Sequence, residues 1–422
     1  MIKRTIFCFL SGLLALSAAA QARFADIMTQ AYAKPERVYQ YYVAHQADSI
    51  YAMGLQQYAE VLPQEQFADQ LRGLDSRLGQ PVEASLWEQT SQSGYTVYAR
   101  NVTYPQYTAR LVVVFDPSGS LAGFRIADEK SRLAEGERGL TIATGDSIKL
   151  PARLTLPAPT VAKGALPVVI LVHGSGPSNM DESLGANAPF RDLAEGLAQR
   201  GVAVIRYDKR TMVYPDLFDE EIRAYTYDDE TVDDAVSAVR LAQSLGDLGN
   251  GQSIDASRVY IVGHSLGAMM APRIAQKSGA VKGLVLLAGP TGKLRPTVEA
   301  QIARLGATDD QLREGVEMAL SMLPKSYIDF DARYSATETA KGLKLPMLIL
   351  QGERDYQVTM DDFATWRNTV GKRSNVTMKS YPKLNHLFIA GEGKSFPAEY
   401  QQPGHVAEEV MDDIAHFILT AK

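Results

Sequence analysis

Ser265 stands at the centre of Gly263-His264-Ser265-Leu266-Gly267, a G-x-S-x-G pentapeptide. A serine hydroxyl becomes a useful nucleophile only when a base takes its proton and a third group orients that base. Five residues of this kind match by chance in many glycine-containing loops, so the flanks decide. Val259 to Val262 reads as a short apolar strand and Ala268 to Ser278 as a helix. A serine on such a strand-to-helix turn holds a strained backbone and lifts its hydroxyl above the sheet. Gly263 and Gly267 supply room where side chains would meet the neighbouring strand and helix. The helix start aims free N–H groups at developing negative charge.

The base is sought among six histidines. His45 lies far from the motif in sequence. His173 and His264 flank glycine loops and read as packing or loop-bracing residues, and His405 and His416 lie near or in the last helical segment. His386 follows an apolar strand, Val376 to Tyr381, in the loop Pro382-Lys383-Leu384-Asn385-His386. That position reaches the carboxyl edge of a parallel sheet, where ligands bind in open α/β folds. The orienting acid belongs between the two in the order Ser, Asp or Glu, His. Asp355 is placed there, after the strand Pro346 to Leu350, with Glu353 as the alternative; Asp361 and Asp362 read as cap and first-turn residues of the next helix. A tetrahedral oxyanion needs two fixed donors. The N–H of Leu266 is one. The loop His173-Gly174-Ser175-Gly176-Pro177, after the strand Val168 to Val172, offers the other, Ser175 first and Gly174 next.

These residues need a parallel sheet to carry them. From Leu140 onward short apolar strands (Leu150 to Leu156, Val168 to Val172, Val202 to Tyr207, Val259 to Val262, Gly283 to Leu287, Pro346 to Leu350, Val376 to Tyr381) alternate with helices. That pattern is an α/β sheet covered on both faces. Residues 291–341 break the rhythm with polar helical sequence and read as a cap insertion. Residues 23–127 have another pattern. Arg37 to Val61 and Glu65 to Leu78 read as helices, and Tyr95 to Val102, Tyr107 to Phe115 and Leu121 to Ile126 as strands, the last two joined by the turn Asp116-Pro117-Ser118-Gly119. Helices followed by an antiparallel sheet make a small α+β domain. The charged stretch 128–139 reads as the linker between the two.

The chain has 422 residues and a formal net charge of −6, which gives no electrostatic case for nucleic acid. Lys3 and Arg4, the apolar run Ile6 to Leu16 and Ala20-Gln21-Ala22 read as a signal peptide over residues 1–22, placing the protein in the periplasm or outside the cell, with no stable membrane insertion after cleavage. No later run approaches the roughly 18 apolar residues of a membrane span. The single cysteine, Cys8, lies inside that run, so the mature chain has no thiol for disulfides, catalysis or metal binding.

With these motifs in view, residues 140–422 resemble the α/β-hydrolase superfamily, within it the bacterial esterases and serine aminopeptidase-like hydrolases with an H-G-S-G-P loop and an R-Y-D-K-R-G segment. Here the second reads Arg206-Tyr207-Asp208-Lys209-Arg210-Thr211, with Thr211 in the glycine's place, and the family's D-R-D is Asn179-Met180-Asp181. Leu86-Trp87-Glu88-Gln89 and the hairpin Val112 to Phe124 resemble the DUF3887 family, a cone-like α+β fold similar to NTF2. Such domains usually bind or dimerise, which implies a homodimer. The hydrolase resemblance implies a carboxylesterase acting on small-molecule, short-chain esters without metal or organic cofactor. Met269 is then expected to line the substrate pocket, with Tyr207 and Met270 nearby. An aminopeptidase, amidase or thioesterase on the same triad is the alternative, its amine site sought among Asp309, Asp310, Glu314 and Glu317. A non-catalytic envelope protein that binds a ligand is the reading from another class.

Overall fold

A computed structural model describes residues 32–421, apart from residue 106 and residues 219–223. The segment read as a signal peptide lies outside the described residues. The chain divides into two units, one ending at Arg132 and the other beginning at Leu133.

The first unit has helices α1 (Ala33–Val43), α2 (Ala47–Tyr51) and α3 (Gln64–Leu78) against a sheet of β1 (Glu83–Ala84), β2 (Glu88–Gln92), β3 (Tyr95–Thr103), β4 (Tyr107–Phe115) and β5 (Leu121–Ser131). All pairings in this sheet are antiparallel, in the order β1-β3-β4-β5 with β2 beside β3. β4 shows why one face is core. Tyr107, Ala109, Leu111, Val113 and Phe115 are buried and the residues between them are not. The single helix expected over Arg37 to Val61 is instead α1, α2 and a 3-10 turn at Leu55–Tyr58. The chain breaks at His45 (φ 56°) and at Gly54 (φ 152°). A Cβ on Gly54 would lie 2.4 Å from the Leu121 backbone, so the break also lets helix and strand approach closely.

The second unit is built on strands β6 (Glu137–Ala143), β7 (Lys149–Thr155), β8 (Gly164–Val172), β9 (Ala203–Tyr207), β10 (Asp247–Gly249), β11 (Gln252–His264), β12 (Gly283–Leu287), β13 (Met347–Gly352) and β14 (Val376–Tyr381). Their order is β14-β13-β12-β11-β8-β9-β7-β6, with β10 on β11. Neighbours from β14 to β9 in that order are parallel; β10 joins β11, β7 joins β9, and β6 joins β7, antiparallel. In β8, Val168, Ile170 and Val172 enter the core on one face, and Val169 and Leu171 that on the other. Each such side chain contributes about 1.5–3 kcal/mol by leaving water. Helices α4 (Pro189–Gln199), α5 (Arg210–Val213), α6 (Asp233–Ser244) and α7 (Leu266–Ser278) follow their strands. The expected insertion is four helices between β12 and β13: α8 (Leu294–Arg304), α9 (Asp309–Ser321), α10 (Lys325–Arg333) and α11 (Ala336–Gly342). Then come α12 (Met360–Thr369) and α13 (Glu408–Thr420). Among the described residues no helix is long and apolar enough to cross a membrane.

The stretch 128–139, expected as a linker, is mostly strand: β5 runs to Ser131 and β6 starts at Glu137. Both are edge strands, where charge is tolerated and guards against sheet-to-sheet pairing. Glu137 also has a buried task, meeting Arg153 and Arg206 at 2.7 Å each.

Candidate active site

The sheet register brings two of the singled-out loops side by side. In the parallel pair β8–β11, Val172 stands opposite Gly263. His173 and His264 therefore leave neighbouring strands together, followed by Gly174-Ser175 and by Ser265. The chain runs out from β8 to β9 on one side and returns to β11 on the other, which makes this the switch point where a crevice opens. β13 and β14 run parallel to them, so Asp355 and His386 emerge at the same edge.

Ser265 has φ 51° and ψ −116°, a strained conformation for a residue with a side chain. The turn persists because its glycines are enclosed by backbone. A Cβ on Gly263 would lie 2.3 Å from the Gly267 carbonyl oxygen, and one on Gly267 would lie 2.0 Å from that of Val172. Ser265 N–H donates to the Leu287 carbonyl at 2.9 Å, which pins the turn to β12.

His386 Nδ1 lies 2.6 Å from Asp355 Oδ2, and both residues are buried. Asp355 is held in turn. Its Oδ1 accepts from the Gln357 and Val358 N–H groups at 2.8 and 3.0 Å, and Gln351 Nε2 donates to Oδ2 at 3.2 Å. With the carboxylate on Nδ1–H, the free Nε2 is the basic nitrogen. Ser265 and His386 line the same cavity without a hydrogen bond between them. Such contacts commonly tighten only when substrate binds. Glu353, the alternative acid, is exposed and accepts from Ser380 Oγ at 2.7 Å. Asp362 accepts from Thr359 N–H at the start of α12.

Among the described residues no protein acceptor meets the N–H of Leu266 or of Ser175, which leaves both available to an oxyanion. Gly174 is different from expectation. Its N–H donates to Glu182 Oε1 at 2.8 Å, so it is already engaged and cannot serve as an oxyanion donor. The loop is braced from below by Lys209, whose buried Nζ donates to the carbonyls of Gly174 (2.8 Å) and Gly176 (3.1 Å) and pairs with Glu230.

Two cavities meet at Ser265. One passes under the cap, with Met269, Leu294, Val298 and Val358 in its wall. The other holds His386, His264, Glu182, Ser183 and Gln357. Ser175 belongs to both. Met269 thus lies where a substrate would touch it, whereas Met270 is fully buried. Tyr207 corrects the expectation. It is 1% exposed, lines neither cavity and packs edge-on against His173 at 5.2 Å between ring centres. Its strand ends near the site, but its side chain enters the core. Among the described residues no group of three or more His, Cys, Asp or Glu is gathered as a metal would require.

The sequence profile of the alpha/beta hydrolase family matches residues 169–418, a span that contains Ser265, Asp355 and His386. The chain is an α/β-hydrolase. Among curated proteins, esterase EstD of Thermotoga maritima is 34% identical over 376 residues, covering 82% of this chain and 85% of that protein. Among solved structures, an esterase of Pyrococcus furiosus aligns at 17% identity over 68% of this chain and 91% of that one, with a TM-score of 0.44. Est1E of Butyrivibrio proteoclasticus aligns at 19% identity over 67% and 97%, also with a TM-score of 0.44.

This hydrolase unit also uses residues that spacing did not single out. Glu182, Lys209, Glu230 and Gln351 hold the loops and the acid. His264 does more than pack: its Nε2 donates to the His386 carbonyl at 2.9 Å. The segment Arg206 to Arg210 is an anchor of buried ion pairs. Arg206 meets Asp181 at 2.8 Å and Glu137, and Arg210 meets Asp234 and, at 2.9 Å, Asp146.

Proposed function

We propose that the protein is a serine carboxylesterase that forms an acyl-enzyme on Ser265. The observation that carries this reading is the Asp355–His386 pair at 2.6 Å, set beside a strained serine elbow in an α/β-hydrolase whose relative is an esterase. His386 Nε2 takes the Ser265 proton as Oγ attacks the ester carbonyl. The N–H groups of Leu266 and Ser175 receive the oxyanion. His386 then gives the proton to the departing alcohol, and a water molecule, activated by the same nitrogen, releases the acid.

The two cavities have different roles in this scheme. The leaving oxygen must collect its proton from His386, which lines only the second of the two cavities. The alcohol is therefore assigned to the side that holds His386 and the acyl group to the side beneath the cap. The cavity beneath the cap is the smaller of the two, about 120 Å³ against 210 Å³, which supports short acyl chains. An aminopeptidase would need an unengaged carboxylate near Ser265. Asp331, in the cavity wall, already accepts from Tyr227 Oη at 3.2 Å and from Leu294 N–H at 2.9 Å. Asp309 and Glu317 line a separate depression that does not contain Ser265.

The basic, apolar, small-residue pattern of residues 1–22 supports export to the periplasm or beyond. The α+β unit supports the DUF3887 reading, with a binding or dimerising role. Its Trp87 indole and Arg100 guanidinium both donate to Glu36, at 2.9 and 2.8 Å.

The test compares wild type and Ser265→Ala on p-nitrophenyl esters of rising acyl length, with aminoacyl anilides and a fluorophosphonate probe alongside. Wild type is expected to favour short esters over anilides and to label. Ser265→Ala is expected to lose labelling and at least about 10³-fold in kcat. Equal rates in the two proteins would remove Ser265 from the reaction.

A further inference from the structure

The second histidine at the site is held on both ring nitrogens. His264 Nε2 is 2.9 Å from the His386 carbonyl oxygen, and Nδ1 is 3.0 Å from Glu182 Oε2. A neutral imidazole that gives its one N–H to the His386 carbonyl would turn the Nδ1 lone pair toward the Glu182 carboxylate; an imidazolium turns a positive edge toward it. The other oxygen of Glu182 accepts from Gly174 N–H at 2.8 Å. His264 is 6% exposed and Glu182 8%. The Nδ1–Oε2 contact is too bent for a hydrogen bond, so charge attraction is its main content.

We propose that Glu182 and His264 form a buried ion pair that sets the separation between the oxyanion loop and the loop carrying His386, so that both are positioning residues of the hydrolase. The chain of contacts runs from Gly174 N–H through Glu182 and His264 to the His386 carbonyl. It therefore spans the loops after β8 and β14 and passes through the residue directly before Ser265. By engaging Gly174 N–H it leaves the next one, on Ser175, as the donor facing substrate. Burial alone would drive the His264 ring neutral. The Glu182 carboxylate, with the His386 carbonyl and Asp355, outweighs this and holds the ring above its ordinary value. Burial likewise opposes charge on Glu182, yet His264 keeps its carboxyl below the usual range. The other groups facing the pair are His386, whose ring centre is 4.7 Å away, Asp355 behind it, and His173 with Lys209 on the β8 side. The pair touches neither the attacked carbonyl nor the transferred proton. It acts by geometry, and a small misplacement of catalytic groups costs much rate.

The proposal rests on the acyl-enzyme reading, and the experiment separates the two. Glu182→Gln, His264→Gln and the double variant are made in the full chain. For each, kcat and KM on p-nitrophenyl esters, the pH profile of kcat, the rate of fluorophosphonate labelling and the melting temperature are measured. Glu182→Gln is expected to lower kcat by about 10- to 100-fold and to slow labelling in the same ratio. KM should stay within about twofold of wild type. The double variant, in which no lone charge is buried, should recover part of that loss. Glu182→Asp keeps the charge and covers the case in which Glu182→Gln does not fold; an intermediate rate and an unchanged pH profile are expected. A folded Glu182→Gln with wild-type kcat and labelling rate would overturn the proposal. So would single-variant losses that simply multiply in the double variant. If wild type labels but turns over no ester, the esterase reading fails, while the labelling ratios still judge the pair.

Discussion

Two histidine–carboxylate pairs lie next to Ser265, and their wiring differs. In the Asp355–His386 pair one ring nitrogen meets the carboxylate and the other opens onto a cavity. In the Glu182–His264 pair both nitrogens meet protein oxygens. A ring with a free edge can pass a proton to a substrate. A ring with none can only hold what surrounds it. The difference lies in the second nitrogen and not in the carboxylate, since both acids are buried and both have backbone N–H donors on one oxygen. Residue type alone therefore does not tell a base from a brace.

The comparison breaks most visibly at Asp355. Asp355→Asn should lower kcat by about 10³- to 10⁴-fold, because the amide favours the wrong tautomer of His386. That loss should exceed the loss in Glu182→Gln by at least about tenfold. Steady-state kinetics on one p-nitrophenyl ester decides this, and equal losses would erase the distinction between base and brace.

A third histidine sharpens the comparison through stability. His173 meets the Asn179 carbonyl at 3.0 Å but, among the described residues, forms no carboxylate pair. Burial pushes its ring down from 6.5 to about 4. Between those values the unfolded chain holds a proton that the folded chain refuses, so stability falls as pH drops through that window. The loss amounts to at most about 3 kcal/mol. His264 has the opposite sign. Its raised value adds stability that is complete below the unfolded value and fades as pH rises. Urea unfolding between pH 4.5 and 7 should show a shallower acid loss in His173→Gln than in wild type. An unchanged slope would mean that His173 is protonated in the fold.

The smallest effect is expected at Tyr207. Its ring is core and lines no cavity, so Tyr207→Phe should leave the ester chain-length profile unchanged and shift stability by less than about 1 kcal/mol. Met269→Trp, in the cavity beneath the cap, should shorten the longest acyl chain accepted. A profile that moved with Tyr207 instead would relocate the acyl pocket.

Much of this was legible in the chain. Ser265, Asp355 and His386 each follow an apolar strand, and parallel strands bring their carboxyl ends to one edge. The glycines of the elbow announced the close approach of backbone. What the sequence hid were side chains that fold back. Nothing in the spacing says that Glu182 returns eight residues to take the Gly174 N–H, or that Glu137, in a charged run, caps two buried arginines. Edge strands rich in charge read as linker for the same reason. Tyr207 was misplaced because a strand-end residue faces either the crevice or the core, and only register decides.

The meeting of two cavities at Ser265 has a consequence for the second half of the reaction. On the proposed acyl-enzyme route, once the alcohol departs the acyl group remains under the cap while the chamber beside His386 is open to a new molecule. Water and any hydroxylated molecule small enough to enter then compete for the same acyl group on equal chemical terms. On that reading hydrolysis and transfer of the acyl group to a new acceptor are one reaction with two solvents, and the contents of that chamber choose between them.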